Sequence, residues 1–133
     1  MATTDKFEIV TNAWGALRSD EMMLTVSEDV YQIKTAEIIG SAGRAYKRLE
    51  LEFPKVIRLQ TFDVMELPLA SFSFLTDSFM MKYIPESGSL SAWLTADSSA
   101  VNGKFNMKMK LRHDSETAGP ESFFVDGIFS LKN

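Results

Sequence analysis

The feature that most constrains this chain is a strict two-residue alternation. From Lys104 to Arg112, the residues Phe105, Met107, Met109 and Leu111 alternate with Lys104, Asn106, Lys108, Lys110 and Arg112. Arg48-Leu49-Glu50-Leu51-Glu52-Phe53 repeats the pattern and is closed by Pro54, which has no N–H to give to a sheet ladder. Successive strand side chains point to opposite faces, so each run becomes apolar on one side and charged on the other. The same residues wound into a helix would spread their apolar groups around the axis. These two runs therefore commit the chain to half-buried strands.

Shorter strand candidates are Lys6 to Thr11, Met22 to Val26, Tyr31 to Ile38, Val56 to Val64, Ser71 to Leu75, Phe79 to Tyr83, Ser89 to Thr95 and Ser122 to Leu131. Turn-rich pieces such as Gly40-Ser41-Ala42-Gly43 and Pro85-Glu86-Ser87-Gly88 separate them. Helical patterning is confined to Asn12 to Ser19, with Asn12 as the cap, and Val30 to Ile39, each about two turns long and marginal without packing. The chain has 133 residues, 45% of them hydrophobic, which suits one domain over 1–133 with a single core. The expected fold is all-β: an antiparallel β-sandwich or flattened calycin-like barrel of about 8–10 strands, with at most one short helix. Asn102-Gly103 is the strongest two-residue hairpin signal, because a type I′ turn needs positive φ at both positions. A turn there sets Ala100 opposite Phe105, Asp97 opposite Lys108, Thr95 opposite Lys110 and Trp93 opposite Arg112, with Phe123 to Leu131 as the third strand of the meander.

Composition narrows the chemistry. The net charge is −4, with 14 basic and 18 acidic residues, so the chain as a whole lacks the basic surface that displaces counterions from nucleic acid. With no cysteine there are no disulfides, thiolate nucleophiles, Cys-based zinc sites or iron–sulfur ligands. No phosphate-binding loop, dinucleotide fingerprint or calcium loop occurs, and no cofactor or metal is expected. No apolar run is long enough to span a bilayer as a helix. The N-terminal residues carry no secretory signal, which leaves two compartments open: the cytoplasm, or the cell envelope after removal of a leader. His113 is the single histidine, next to Asp114, Ser115 and Glu116. A hydrolytic triad needs its histidine held by the fold between nucleophile and acid, so adjacency on one polar loop reads as a solvated turn. Glu50 and Glu52 share an outer strand face and read as solvated charges. No catalytic residue is assigned.

Two surface features invite a binding role. Trp93, Lys104, Lys108, Lys110 and Arg112 place an aromatic ring beside a row of cations on the outer face. Such a row suits an anionic glycan, a lipid headgroup or an acidic protein partner. Met80, Met107 and Met109, among eight methionines, are candidates for an adaptable apolar pocket. Filling the core is the plainer role for them.

Five short motifs fall in order along the second half: Leu49-Glu50-Leu51-Glu52-Phe53-Pro54, Gln60-Thr61-Phe62, Ser87-Gly88-Ser89-Leu90, Asn102-Gly103-Lys104-Phe105 and Asp126-Gly127-Ile128-Phe129. In this the chain resembles a family of small, functionally uncharacterised bacterial envelope proteins, often lipoproteins and common among Bacteroidetes. Gln60 stands where that family has glycine, and the lipobox cysteine is absent. The resemblance implies a β-sandwich or calycin-like barrel in the envelope and brings no catalytic residue. Three classes of function follow. The expected one is a non-catalytic binding module; the second is a small carrier of a hydrophobic ligand with a methionine-lined interior; the third, disfavoured, is a hydrolase using His113.

Overall fold

The long alternating runs pair as strands with one buried and one solvated face. β10 (Ser122–Lys132) alternates exposed and buried residues along nearly its whole length, and β1 (Lys6–Thr11) does so without exception. The remaining strands are β2 (Gly15–Leu17), β3 (Glu21–Val26), β4 (Val30–Ile39), β5 (Ala45–Pro54), β6 (Gln60–Asp63), β7 (Leu69–Leu75), β8 (Met80–Leu94) and β9 (Ala100–Leu111). A computed structural model describes residues 5–40, 45–56, 58–112 and 119–133. Its strands form one ten-stranded antiparallel sheet in the order β2-β1-β10-β9-β8-β7-β5-β4-β3, with β6 added beside β8. The all-β expectation holds. No helix among the described residues is long and apolar enough to cross a membrane.

The sheet curls because its two end strands are neighbours in sequence. Only Arg18, Ser19 and Asp20 separate β2 from β3, and this short strap is bonded to both ends. On the β1 side Ser19 Oγ donates to the Phe7 carbonyl at 2.8 Å. On the β4 side Asp20 N donates to the Ala36 carbonyl at 2.9 Å, Ile38 N donates to Asp20 Oδ2 at 2.8 Å, and Arg18 Nη2 donates to the Ile38 carbonyl at 2.9 Å. The result is a half-barrel whose inner face is the core. Rings meet across it: Phe53 of β5 lies 6.2 Å from Phe129 of β10, and Phe72 of β7 lies 5.1 Å edge-on to Phe123 of β10. Trp14, in the turn between β1 and β2, stacks on Phe72 at 5.5 Å and covers one end.

Several local expectations are corrected. Asn12 to Ser19 is a turn followed by β2, held by Thr11 Oγ1, which accepts from Trp14 N and donates to the Gly15 carbonyl. Val30 to Ile39 is β4, where Tyr31, Ile33 and Thr35 are buried at a spacing of two. Among the described residues of the Val56–Val64 run, Gln60–Asp63 is strand; Asp63 Oδ1 then accepts from Met65 N and starts a 3₁₀ turn at Val64–Glu66. Pro85-Glu86-Ser87-Gly88 ends no strand. It is a bulge inside the 15-residue β8, with the register shifting between Pro85 and Ser87 and Gly88 at φ +134°. A proline is tolerated there because β7 pairs with β8 at Met80–Tyr83 and β6 at Ser89–Ala92, so β8 between them has a neighbour on one side only.

The largest correction concerns Asn102-Gly103. These residues lie inside β9, where Asn102 opposes Trp93 and Gly103 opposes Ala92. The reversal occurs instead over Thr95–Ser99. Asp97 Oδ1 accepts from Ser99 N, Ser99 Oγ and Thr95 Oγ1, and Ser98 adopts φ 60°. Gly103 is required by a ring and not by a turn. Phe129 opposes it across the β9–β10 ladder, and a Cβ at Gly103 would overlap that ring. Gly127 and Phe105 repeat the arrangement in the opposite sense, so two Gly-x-Phe segments running antiparallel each lay a phenylalanine over the other's glycine.

Candidate functional site

Because Leu90, Ala92, Phe105 and Phe129 face the core, the intervening residues of β8, β9, β10 and β1 form an outer face in cross-strand rows. One row runs Thr61, Ser91, Lys104, Ile128, Glu8. The next runs Trp93, Asn102, Ser130, Lys6, and a third runs Asp63, Ser89, Asn106, Asp126, Val10. Six of these fourteen are short hydroxyl or amide side chains, which leave the face low between longer neighbours. Three hollows of about 640, 380 and 270 Å³ open on it, and Lys104 borders all of them. Trp93 borders two, with Ser91 and Ile128 at their junctions. Thr61 Oγ1 and Ser91 Oγ share a 2.8 Å hydrogen bond on the floor. Lys6 is held 3.4 Å from Glu8, whereas Lys104 forms no ion pair among the described residues.

The structure therefore joins Trp93 to Lys104 but divides the rest of the cationic row. Lys108 ion-pairs with Glu86 at 3.3 Å and sits 5.9 Å from the Phe124 ring centre. Lys110 lies between Ile84 and Ser122, and Arg112 N donates to the Lys82 carbonyl. Arg112 lies eight positions on from Lys104, about 26 Å along a strand, so Trp93, opposite Asn102, and Arg112, just past the end of β9, stand far apart and not side by side. The methionines separate as well. Met107 and Met109 are packed in the core, while Met80 is 45% exposed on the other face beside Leu75. Met81, one residue on, is the buried member of its pair and lies 3.7 Å from the Tyr83 hydroxyl. His113 lies outside the described residues. Glu50 pairs with Arg48 at 3.1 Å on the outer face of β5.

One polar cluster escaped the sequence reading. Lys47 and Glu37 point to the inner face, 3.5 Å apart and only 12% and 11% exposed, with the Lys47 ammonium 4.6 Å above the Phe74 ring. Glu37 Oε2 also accepts from Arg18 N at 2.8 Å. The signal was available: Lys47 is in frame with Leu49, Leu51 and Phe53, and Glu37 with Tyr31, Ile33 and Thr35. A charge in the core frame of each of two strands anticipates a pair. Shifted ionisations occur elsewhere and have structural causes. Hydrogen bonds from Ser99 and Thr95 hold the Asp97 carboxyl down at about 2, and the bond from Ile38 N together with Arg18 lowers that of Asp20. Burial pushes the Tyr83 phenol up; its hydroxyl donates to the Pro120 carbonyl at 2.7 Å.

Compared with known protein families, with curated proteins and with solved structures, the chain finds no match.

Proposed function

We propose that this protein is a non-catalytic binding module that engages an anionic partner through the outer face of β8, β9 and β10. The observation that carries the reading is the convergence of three hollows on Lys104, a cation without a counter-ion among the described residues, beside the partly exposed Trp93. A paired lysine such as Lys108 must give up an existing partner before it can bind another. Lys104 gives up only water, so its attraction is available to a ligand, and Trp93 supplies apolar area with little side-chain entropy to lose. Supporting this, Met107 and Met109 are spent on the core, which takes them from a hydrophobic-ligand cavity.

An array of glycans, anionic lipids and acidic peptides, probed at low and moderate salt, tests the reading. Wild type should bind a subset of anionic spots, and a Trp93→Ala/Lys104→Met double variant should lose them. Binding should weaken as salt shortens the reach of exposed charges to about 10 Å at 0.1 M. Lys108→Ala/Lys110→Ala should change the profile less. Identical profiles for wild type and the Trp93/Lys104 variant would remove this face from consideration.

A further inference from the structure

We infer that the ligand of this face is a sparsely charged acidic glycan, lying across the strands with its carboxylate at Lys104 and an uncharged sugar toward Asp126. This rests on the binding reading above and adds the ligand's chemistry and direction. The face is polarised. At one end Trp93 and Lys104 border the hollows of about 640 and 270 Å³. At the other, Asp126 and Glu8, the latter held by Lys6 at 3.4 Å, share the 380 Å³ hollow with Lys104, Asn106 and Ser89. Glu8 is two strands from Lys104, about 10 Å away. A carboxylate on the ligand is attracted by Lys104 and repelled near Asp126, whose carboxylate, without an ion pair among the described residues, instead accepts hydrogen bonds from sugar hydroxyls. A chain charged at every unit meets both effects and loses part of what it gains. One acidic unit followed by a neutral one meets only the favourable ones.

The other ligand classes fit the same surface less well. An extended peptide gains its affinity from main-chain bonds to a sheet edge or from deep anchoring pockets. Here β8, β9 and β10 are interior strands whose backbone groups bond to one another, and the hollows are widely open to solvent. A membrane surface attracts clustered basic residues, whereas this face sets Asp126 and Glu8 beside Lys104 and Lys6, on a chain of net charge −4. A sugar chain needs what is present: hydroxyl and amide groups repeating at the strand spacing, and apolar area for the C–H faces of its rings. Trp93 supplies that area at one end, and Ile128 and Val10, 45% and 54% exposed, supply it along the way.

The test is calorimetric titration of the full chain with a hyaluronan hexasaccharide, charged at alternate sugars, against hexagalacturonate, cellohexaose and phosphatidylcholine–phosphatidylglycerol vesicles. The alternating oligosaccharide should bind tightest. Lys104→Met and Trp93→Ala should each weaken it by about tenfold or more, with thermal midpoints near wild type because both side chains lie on the outer face. Asp126→Asn should narrow the gap between hyaluronan and hexagalacturonate. Equal binding of cellohexaose, or tighter binding of hexagalacturonate, overturns the inference. Binding of vesicles alone that is lost in the Lys104 and Trp93 variants overturns the glycan assignment but keeps the face. Binding of any probe that ignores both substitutions overturns the face as well, and binding of none overturns the glycan assignment.

Discussion

At Gly103 the residue type is explained by what lies opposite it and not by its own backbone. The Phe129 ring occupies the volume that a side chain would take, and Phe7 stacks on the other side of that ring at 5.3 Å. Gly103→Ala must displace a ring packed on both faces, a small-to-large change that should cost about 1–3 kcal/mol in urea denaturation. The Lys47–Glu37 pair makes the converse point, that a charge can belong to the core frame when its partner does too. Glu37→Ala leaves a nearly buried ammonium without its counter-ion and should cost about 3 kcal/mol or more. A Glu37→Met/Lys47→Met double variant should recover most of that loss. If the single and double variants are equally unstable, the pair is not what holds this end of the core.

At the scale of the element, the β8–β9 hairpin is decided by Asp97. Its carboxylate binds Ser99 N, Ser99 Oγ and Thr95 Oγ1 and closes the turn, so it titrates at about 2, below the ordinary 3.8. The folded state therefore holds its proton less tightly than the unfolded chain. The stabilisation is complete above the unfolded value near 4 and is lost as pH falls toward 2. Urea midpoints measured across that window should fall less steeply for Asp97→Asn than for wild type. The lowered Asp20 carboxyl adds to the same acid sensitivity with the same sign, so Asp97→Asn should flatten the profile without abolishing its slope. Asn-Gly two strand positions later had the better local credentials for a turn. It lost because turning there would strip β9 of its pairing with β8 from Tyr83 to Leu94.

Over the whole molecule, one three-residue strap turns an open sheet into a half-barrel. Arg18, Ser19 and Asp20 bond to β1 on one side and β4 on the other, so the first and last strands of the sheet are held by adjacent residues. Asp20→Ala removes the acceptor of Ile38 N. It should speed amide exchange at Ile38 and through β3 and β4, while β8, β9 and β10 keep their protection. Uniform loss of protection would mean that the strap sets global stability and not the closure of one seam. The proposed binding face lies on the better-paired side, where β8, β9 and β10 are each flanked by partners. That placement suits a surface meant to hold small polar groups at fixed spacings.

Alternation along the chain establishes the class of the fold and the faces of its longest strands. It is local, since each residue's side follows from its neighbours' pleat, and the runs in β5 and β9 kept their inner and outer sets as read. The outward side of Lys104 came the same way, whereas Trp93 was placed outward through a register with Arg112 that the structure replaces with Asn102. The register of β8 against β9, the bulge at Pro85–Ser87 and the inward Lys47–Glu37 pair were left to the tertiary structure, as was the division of the cationic row. Each depends on which residue lies opposite, and opposition is a property of two segments at once. A two-residue turn signal competes with eleven paired positions along β8 and β9 and two ring-over-glycine contacts. The larger sum decides, and it can be added up only when the strands are in place.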